Sequence, residues 1–128
     1  MSVNTYDVRL VLRLNGLTSV GSGLAMLFGA GALAGELGID RPAAVGLVGL
    51  AILLFGLDAL VFSVRRRLRR AHVIAFAVAD LAFAAGSLAV LVSSPDALTF
   101  LGRALVATAA VVVAWFATTQ LRGARHLA

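Results

Sequence analysis

Four long apolar runs dominate the chain and restrict it to one class of fold. They predict membrane-spanning helices at about residues 10–34, 43–64, 73–92 and 100–121, each near the roughly 20 apolar residues that cross a bilayer. Hydrophobic residues make up 61% of the sequence, more than a soluble fold of this size can bury. We therefore predict an all-α integral membrane protein, a four-transmembrane-helix bundle that forms one domain over residues 1–128.

The segments between the runs differ in charge, and this difference predicts the orientation of the chain. Residues 36–42 (ELGIDRP) and 93–99 (SSPDALT) contain acids and a proline, whereas residues 65–72 (RRRLRRAH) are strongly basic. Arginines also precede the first run and follow the last. Because basic flanks stay in the cytoplasm, we predict cytoplasmic N- and C-termini. All eleven basic residues are arginine, as is typical of a GC-rich genome, and we expect a bacterial inner (cytoplasmic) membrane.

An alternative interpretation concerns the first run. Residues 32–35 (ALAG) resemble a signal-peptidase site, since they follow an apolar segment with arginine in front. Cleavage there would leave three spans and an external N-terminus. The run is longer than the apolar core of a usual signal peptide, so we expect it to remain as a span.

The two halves of the chain resemble each other at an offset of 65 residues. The first and third runs share one helix face with the same four, three, four spacing. Its members are Asn15, Ser19, Ser22 and Met26 in the first run and Asp80, Ala84, Ser87 and Leu91 in the third. Because a hairpin crosses the membrane twice, we predict two tandem helical hairpins in a parallel repeat, related by a pseudo-two-fold axis along the membrane normal. Chance similarity between two helices rich in alanine, glycine and leucine is the alternative.

Polar side chains interrupt all four runs at a similar depth, on the arginine-rich side. At 1.5 Å per residue, Asp80 lies about 10 Å, Asp58 about 9 Å and Asn15 about 8 Å from that end of their helices. Thr119 and Gln120 close the fourth run. A charge at the centre of a span costs about 2.5–3.5 kcal/mol on insertion scales, so the carboxylates need compensation. These five residues are the candidate intramembrane polar or ion site.

Three interpretations of this site remain open. In the first, Arg13 or Arg122 forms an ion pair with a carboxylate, and the pair fixes the register of the bundle. In the second, Asp80 and Asp58 bind a cation or relay a proton, as intramembrane carboxylates often do. In the third, the polar groups contact a partner helix or a lipid headgroup.

The sequence carries no signature of an enzyme or a cofactor. It has no cysteine, which excludes thiolate metal sites and thiol catalysis. Neither histidine lies within an apolar run, where a haem held by a bundle would need it. Nucleotide-binding and hydrolase motifs are absent from the sequence. We expect no catalytic residues, no metal and no cofactor.

The predicted loops are too short for a further domain, so function must lie within the membrane or at its faces. The arginines flank spans instead of forming a soluble basic face, so nucleic-acid binding is not expected. The basic loop also suits anionic lipid headgroups, through Arg65, Arg66, Arg67, Arg69 and Arg70. Our leading hypothesis is a non-enzymatic accessory or scaffold subunit that associates with other membrane subunits or with itself through small-residue faces. The alternative is a small oligomeric transporter or channel for protons, cations or a lipidic solute.

Overall fold

A computed structural model describes residues 5–127, and five α-helices account for most of this range. They are α1 (Thr5–Phe28), α2 (Ala30–Leu37), α3 (Pro42–Ser63), α4 (Arg70–Ser93) and α5 (Phe100–Ala124), with a 3₁₀ turn at Pro95–Ala97. All except α2 are long and apolar enough to cross a membrane. The helix content and the four candidate spans confirm the prediction of an all-α, multi-pass membrane protein. Residues 1–4 and 128 of the predicted domain lie outside the described residues.

The first predicted span is divided between two helices. α1 ends at Phe28, before the predicted end at residue 34, and α2 begins after Gly29. Glycine is among the poorest helix formers, and several glycines follow one another here. α2 stops at Gly38, whose φ of 78° is left-handed and is readily adopted by glycine alone. The N–H of Ile39 donates to the Ala34 carbonyl at 2.8 Å, which satisfies one of the last carbonyls of α2.

The apolar core lies at the end of the bundle that holds the start of α1, the α3–α4 loop and the end of α5. We call this the arginine-rich end, and the other the opposite end. All four long helices contribute to the core, which contains Val8, Leu12, Ala59, Phe62, Leu68, Val73, Phe76 and Ala124. Arg9 fastens α1 to the end of α3, because its guanidinium donates to the Ser63 carbonyl at 2.7 Å and to the Arg66 carbonyl at 3.0 Å. Tight packing therefore closes the bundle at this end.

α1 and α3 form the most extensive helix pair, through glycines spaced seven residues apart. Gly16 lies against Gly56, and Gly23 lies against Gly49. A Cβ atom added at Gly23 would lie only 2.6 Å from the backbone nitrogen of Leu53. Contact this close requires the absence of a side chain, as is common between membrane helices.

α4 and α5 form the second hairpin, and Thr99 joins it to the first at the opposite end. The Thr99 hydroxyl oxygen accepts from the Gly102 N–H at 3.0 Å, which caps α5. The same hydroxyl donates to the Glu36 carbonyl at 2.5 Å, and the Thr99 N–H donates to the Leu37 carbonyl at 3.1 Å. Between the hairpins, α1 and α5 approach more closely than α3 and α4 do. In a pseudo-two-fold repeat these two helix pairs would be equivalent and equally close. Because they are not, the repeat stays a prediction.

Candidate functional site

A cavity of about 700 Å³ lies between the four long helices. Each of them contributes to its wall, and the wall is mainly apolar. The polar residues among those that line it are Asn15, Thr18, Ser19, Ser22, Asp80, Ser87 and Thr108. Asp80 is the one charged residue among the described residues of the wall. The volume is within the range of pockets that hold drug-sized ligands.

Asp80 and Asn15 form the polar end of this cavity. The Asn15 Nδ2 donates to Asp80 Oδ2 at 2.7 Å, and the two side chains are only 1% and 4% exposed. Ser19 lies one turn along the same face of α1 and donates its hydroxyl proton to Asn15 Oδ1 at 3.3 Å. These bonds orient the amide so that its NH₂ group faces the carboxylate. The Asn15 side chain is therefore held from both sides.

Gln120 adds a third polar group from α5. It is fully buried and lies next to Asp80, with which its amide interacts. Neither its Nε2 nor its Oε1 makes a hydrogen bond of standard geometry in the described part of the chain. An unpaired buried polar group costs about 1–3 kcal/mol. Gln120 thus places beside the carboxylate an amide whose hydrogen bonds are not fully satisfied.

The packed core closes the cavity on one side, and the cavity extends from Asp80 toward the opposite end. Phe76 and Ala77, about one turn from Asp80 on α4, are buried in the arginine-rich half. At the far side the wall reaches Leu37 of α2. Thr108 and Ser22 line the middle of the cavity and are exposed. The space is therefore open at its flank as well as polar at its base.

The structure brings together three of the five predicted polar residues. Asn15, Asp80 and Gln120 converge from α1, α4 and α5. Asp58 is exposed on α3 and is not part of the cavity wall. Thr119 donates its hydroxyl proton to the Trp115 carbonyl at 2.9 Å, a bond within its own helix. Similar depth in the membrane does not place these two residues at the site.

The structure gives Asp80 amide partners and no arginine partner among the described residues. Arg13 and Arg122, the predicted ion-pair partners, are exposed, and the side chains that interact with Asp80 are Asn15 and Gln120. The arginines of the α3–α4 loop are also exposed. Among the described residues, Asp80 therefore does not form the predicted ion pair with Arg13 or Arg122.

The cavity itself is not predictable from the sequence pattern. The repeated face groups Ser22 and Ser87 with the polar site, and both line the cavity. Nothing in the pattern distinguishes Thr108 or Phe83 from the other residues of their apolar runs. The polar face of the first run is the one sequence feature that indicates a cavity, because polar residues within a span face the interior or a cavity.

Neither a metal site nor a relationship to known proteins identifies the function. Among the described residues, no group of three or more His, Asp or Glu side chains is arranged to hold a metal ion. No protein-family model matches the sequence, and no significant match was found among curated proteins or solved structures. Function is therefore inferred from the site itself.

Proposed function

We propose that the protein binds a small solute within the membrane and carries it across, with Asp80 as the binding group. The observation that supports this proposal is the cavity that ends on the Asp80–Asn15 hydrogen bond. Ionisable residues within spans face cavities where they bind ions or relay protons. Asp80 has a neutral amide partner instead of a positive one, so its carboxylate is available to a proton or a cation. These features favour the transporter hypothesis over the accessory-subunit hypothesis.

The proposal includes the orientation of the chain in a bacterial inner membrane. The positive-inside rule supports a cytoplasmic location for the arginine-rich end. In that orientation the core closes the cytoplasmic side, and the cavity occupies the outer part of the bundle. The four arginines of the α3–α4 loop and Arg70 at the start of α4 then lie near the inner leaflet, where each would contribute about 1 kcal/mol of attraction to anionic headgroups.

The contact between Asn15 and Asp80 supports the proposed parallel repeat. The two residues are 65 positions apart, which is the offset at which the two halves of the sequence resemble each other. A residue and its equivalent in the second copy meet only near the axis that relates the copies. The axis would then pass through this pair, and repeat-built transporters place their substrate sites at such an interface.

An accessory or self-associating subunit is the second candidate, and the outer face of α4 favours it. A stripe of exposed residues, all small except Val78, lies on the side away from Asp80. Its small members are Ala71, Ala75, Ala82, Gly86 and Ala89. A Cβ atom added at Gly86 would meet no atom within 4 Å, so this face is unoccupied by the described chain. Small residues let a second helix approach closely, and association through α4 is compatible with transport. We expect no enzymatic activity in either case.

Single-cysteine variants test the proposed cavity directly, because the natural chain has no cysteine. Ser22→Cys places a thiol on the cavity wall, and Ala82→Cys places one on the outer face of α4, both at exposed positions. Reaction with maleimide needs the thiolate and therefore water. We expect a small water-soluble maleimide to modify Ser22→Cys about tenfold faster than Ala82→Cys in native membranes.

The same experiment has a clear contrary outcome. Equally slow modification of both variants would show that lipid fills the space, and the proposed binding function would be refuted. An impermeant maleimide added separately to right-side-out and inverted vesicles would then test carriage across the membrane. Access to position 22 from both faces is expected of a carrier, whereas access from one face alone would indicate a binding site without transport.

A further inference from the structure

We propose that the solute is a lipophilic cation, a single positive charge on a compact apolar body. This inference rests on the proposed function and names the class of solute that the same site would take. Three observations support it: the charge of the wall, the direction of its hydrogen bonds and the position of its aromatic rings.

The charge of the wall selects for a cation. Asp80 is the one charged residue among the described residues that line the cavity, and its described partners are neutral amides. A carboxylate held in a low-dielectric site without a counter-charge is unfavourable. A bound cation supplies that counter-charge, whereas an anion would meet a charge of the same sign.

The hydrogen bonds of the wall leave acceptors facing the cavity. Ser87 donates its hydroxyl proton to the Phe83 carbonyl and Thr108 donates to the Ala104 carbonyl, both at 2.8 Å. Ser19 donates to Asn15 Oδ1 at 3.3 Å. Because these three protons are engaged, the three hydroxyl oxygens present lone pairs. These acceptors are complementary to a positive group.

The apolar part of the wall suits a compact hydrophobic body. Phe83 and Phe116 line the cavity near its polar end, and Phe55 lines it from α3. The face of a phenylalanine ring attracts a cation within about 6 Å of its centre. Aliphatic side chains such as Met26 and Ile52 form much of the remaining wall. The exposed flank of the cavity gives such a solute a path from the bilayer, into which lipophilic ions partition.

Tetraphenylphosphonium and tetraphenylborate test the inference, because the two ions share a shape and differ in the sign of their charge. Binding of each is measured by equilibrium dialysis against the purified full chain in a non-ionic detergent. We expect the phosphonium to bind at least about tenfold more tightly than the borate. This comparison needs no substitution, so it does not depend on whether a variant folds.

Two carboxylate variants assign the preference to Asp80. Asp80→Asn should weaken phosphonium binding by about tenfold or more, whereas Asp58→Asn, a matched change outside the cavity, should leave it within about twofold. Equal affinity for the two ions, no binding of the phosphonium, or an unchanged affinity in Asp80→Asn would each overturn the inference. Rapid maleimide modification of Ser22→Cys alongside any of these results would leave the proposed function standing without the cationic solute. Slow maleimide modification of Ser22→Cys would refute both the proposed function and the cationic solute.

Discussion

Replacing Gly23 with alanine should force α1 away from α3. The new Cβ atom would lie 2.6 Å from the Leu53 nitrogen and 2.7 Å from the Gly49 carbonyl oxygen, about 1 Å inside the usual contact distance of about 3.5 Å. Both neighbours are backbone atoms, so neither can rotate away. Overpacking of this kind costs about 1–3 kcal/mol. We expect the free energy of unfolding of Gly23→Ala to fall by that amount.

Gly21→Ala is the matched control, two residues earlier in the same helix. A Cβ atom at position 21 would meet no atom within 4 Å. Alanine is preferred over glycine inside a helix by about 0.5–1 kcal/mol, so this variant should be as stable as the natural chain or slightly more stable.

Unfolding by dodecyl sulfate in mixed micelles, followed by far-ultraviolet circular dichroism, measures both free energies. Fluorescence of Trp115, the single tryptophan of the chain, gives a second signal for the same transition. A loss below about 0.5 kcal/mol in Gly23→Ala, the usual range of neutral surface changes, would refute the close glycine contact. Equal losses in both variants would refute it as well, because the effect would then come from the helix and not from its partner.

Four further predictions follow from the site and from the joint at the opposite end. Asp80→Asn should leave the amount of folded protein in membranes unchanged, since an asparagine oxygen at position 80 can still accept from Asn15; loss of the folded protein would contradict the repeat. The exchange variant Asn15→Asp/Asp80→Asn should recover phosphonium binding to within about threefold, because it returns a carboxylate to the same hydrogen-bonded pair; no recovery would contradict the equivalence of the two positions. Thr99→Ala should lower the free energy of unfolding by about 0.5–2 kcal/mol through loss of the helix cap, whereas Thr108→Ala, which removes a bond within one helix, should cost less; chemical denaturation compares the two. Phosphonium affinity, measured by dialysis across a pH series, should fall as the pH falls, because protonation neutralises Asp80. Asp80 is the one titratable side chain among the described residues of the wall. The same fall in affinity in Asp80→Asn would refute this assignment.

The fold is largely predictable from the sequence because its main determinant is local. Each apolar run is long enough to span a bilayer, and a spanning segment must satisfy its backbone as a helix. The division at Gly29 is harder to predict, since glycine weakens a helix by only about 1 kcal/mol, and packing decides whether the helix continues.

The sequence predicts the depth of the polar residues in the membrane, but not the direction in which their side chains point. Residue counting places Asp58 and Asp80 at similar depths, yet only Asp80 reaches the cavity. Gly56 lies against α1, and Asp58, about 200° further around α3 at 3.6 residues per turn, therefore points away from α1. The face of α3 that packs against α1 is determined by the glycine contacts between the two helices. Predicting those contacts requires the positions of both helices.

The opening of the cavity depends on side chains that are far apart in the sequence. Large core residues such as Phe62 and Phe76 hold the helices together at the arginine-rich end. Smaller polar residues such as Ser22 and Thr108 face the space further along. Whether four apolar helices close on one another or enclose a space is set by the sum of these side-chain volumes, which no single motif reports.

Protection of the Ser22→Cys thiol in native membranes tests the central claim most directly, since it links the cavity, the solute and Asp80. We expect tetraphenylphosphonium to slow maleimide modification of this thiol in a concentration-dependent manner, and tetraphenylborate to have no such effect. Adding Asp80→Asn should abolish the protection, whereas adding Asp58→Asn should preserve it. Modification that is unaffected by the phosphonium, or protection that persists without the Asp80 carboxylate, would contradict the assignment of this cavity as a binding site built around Asp80.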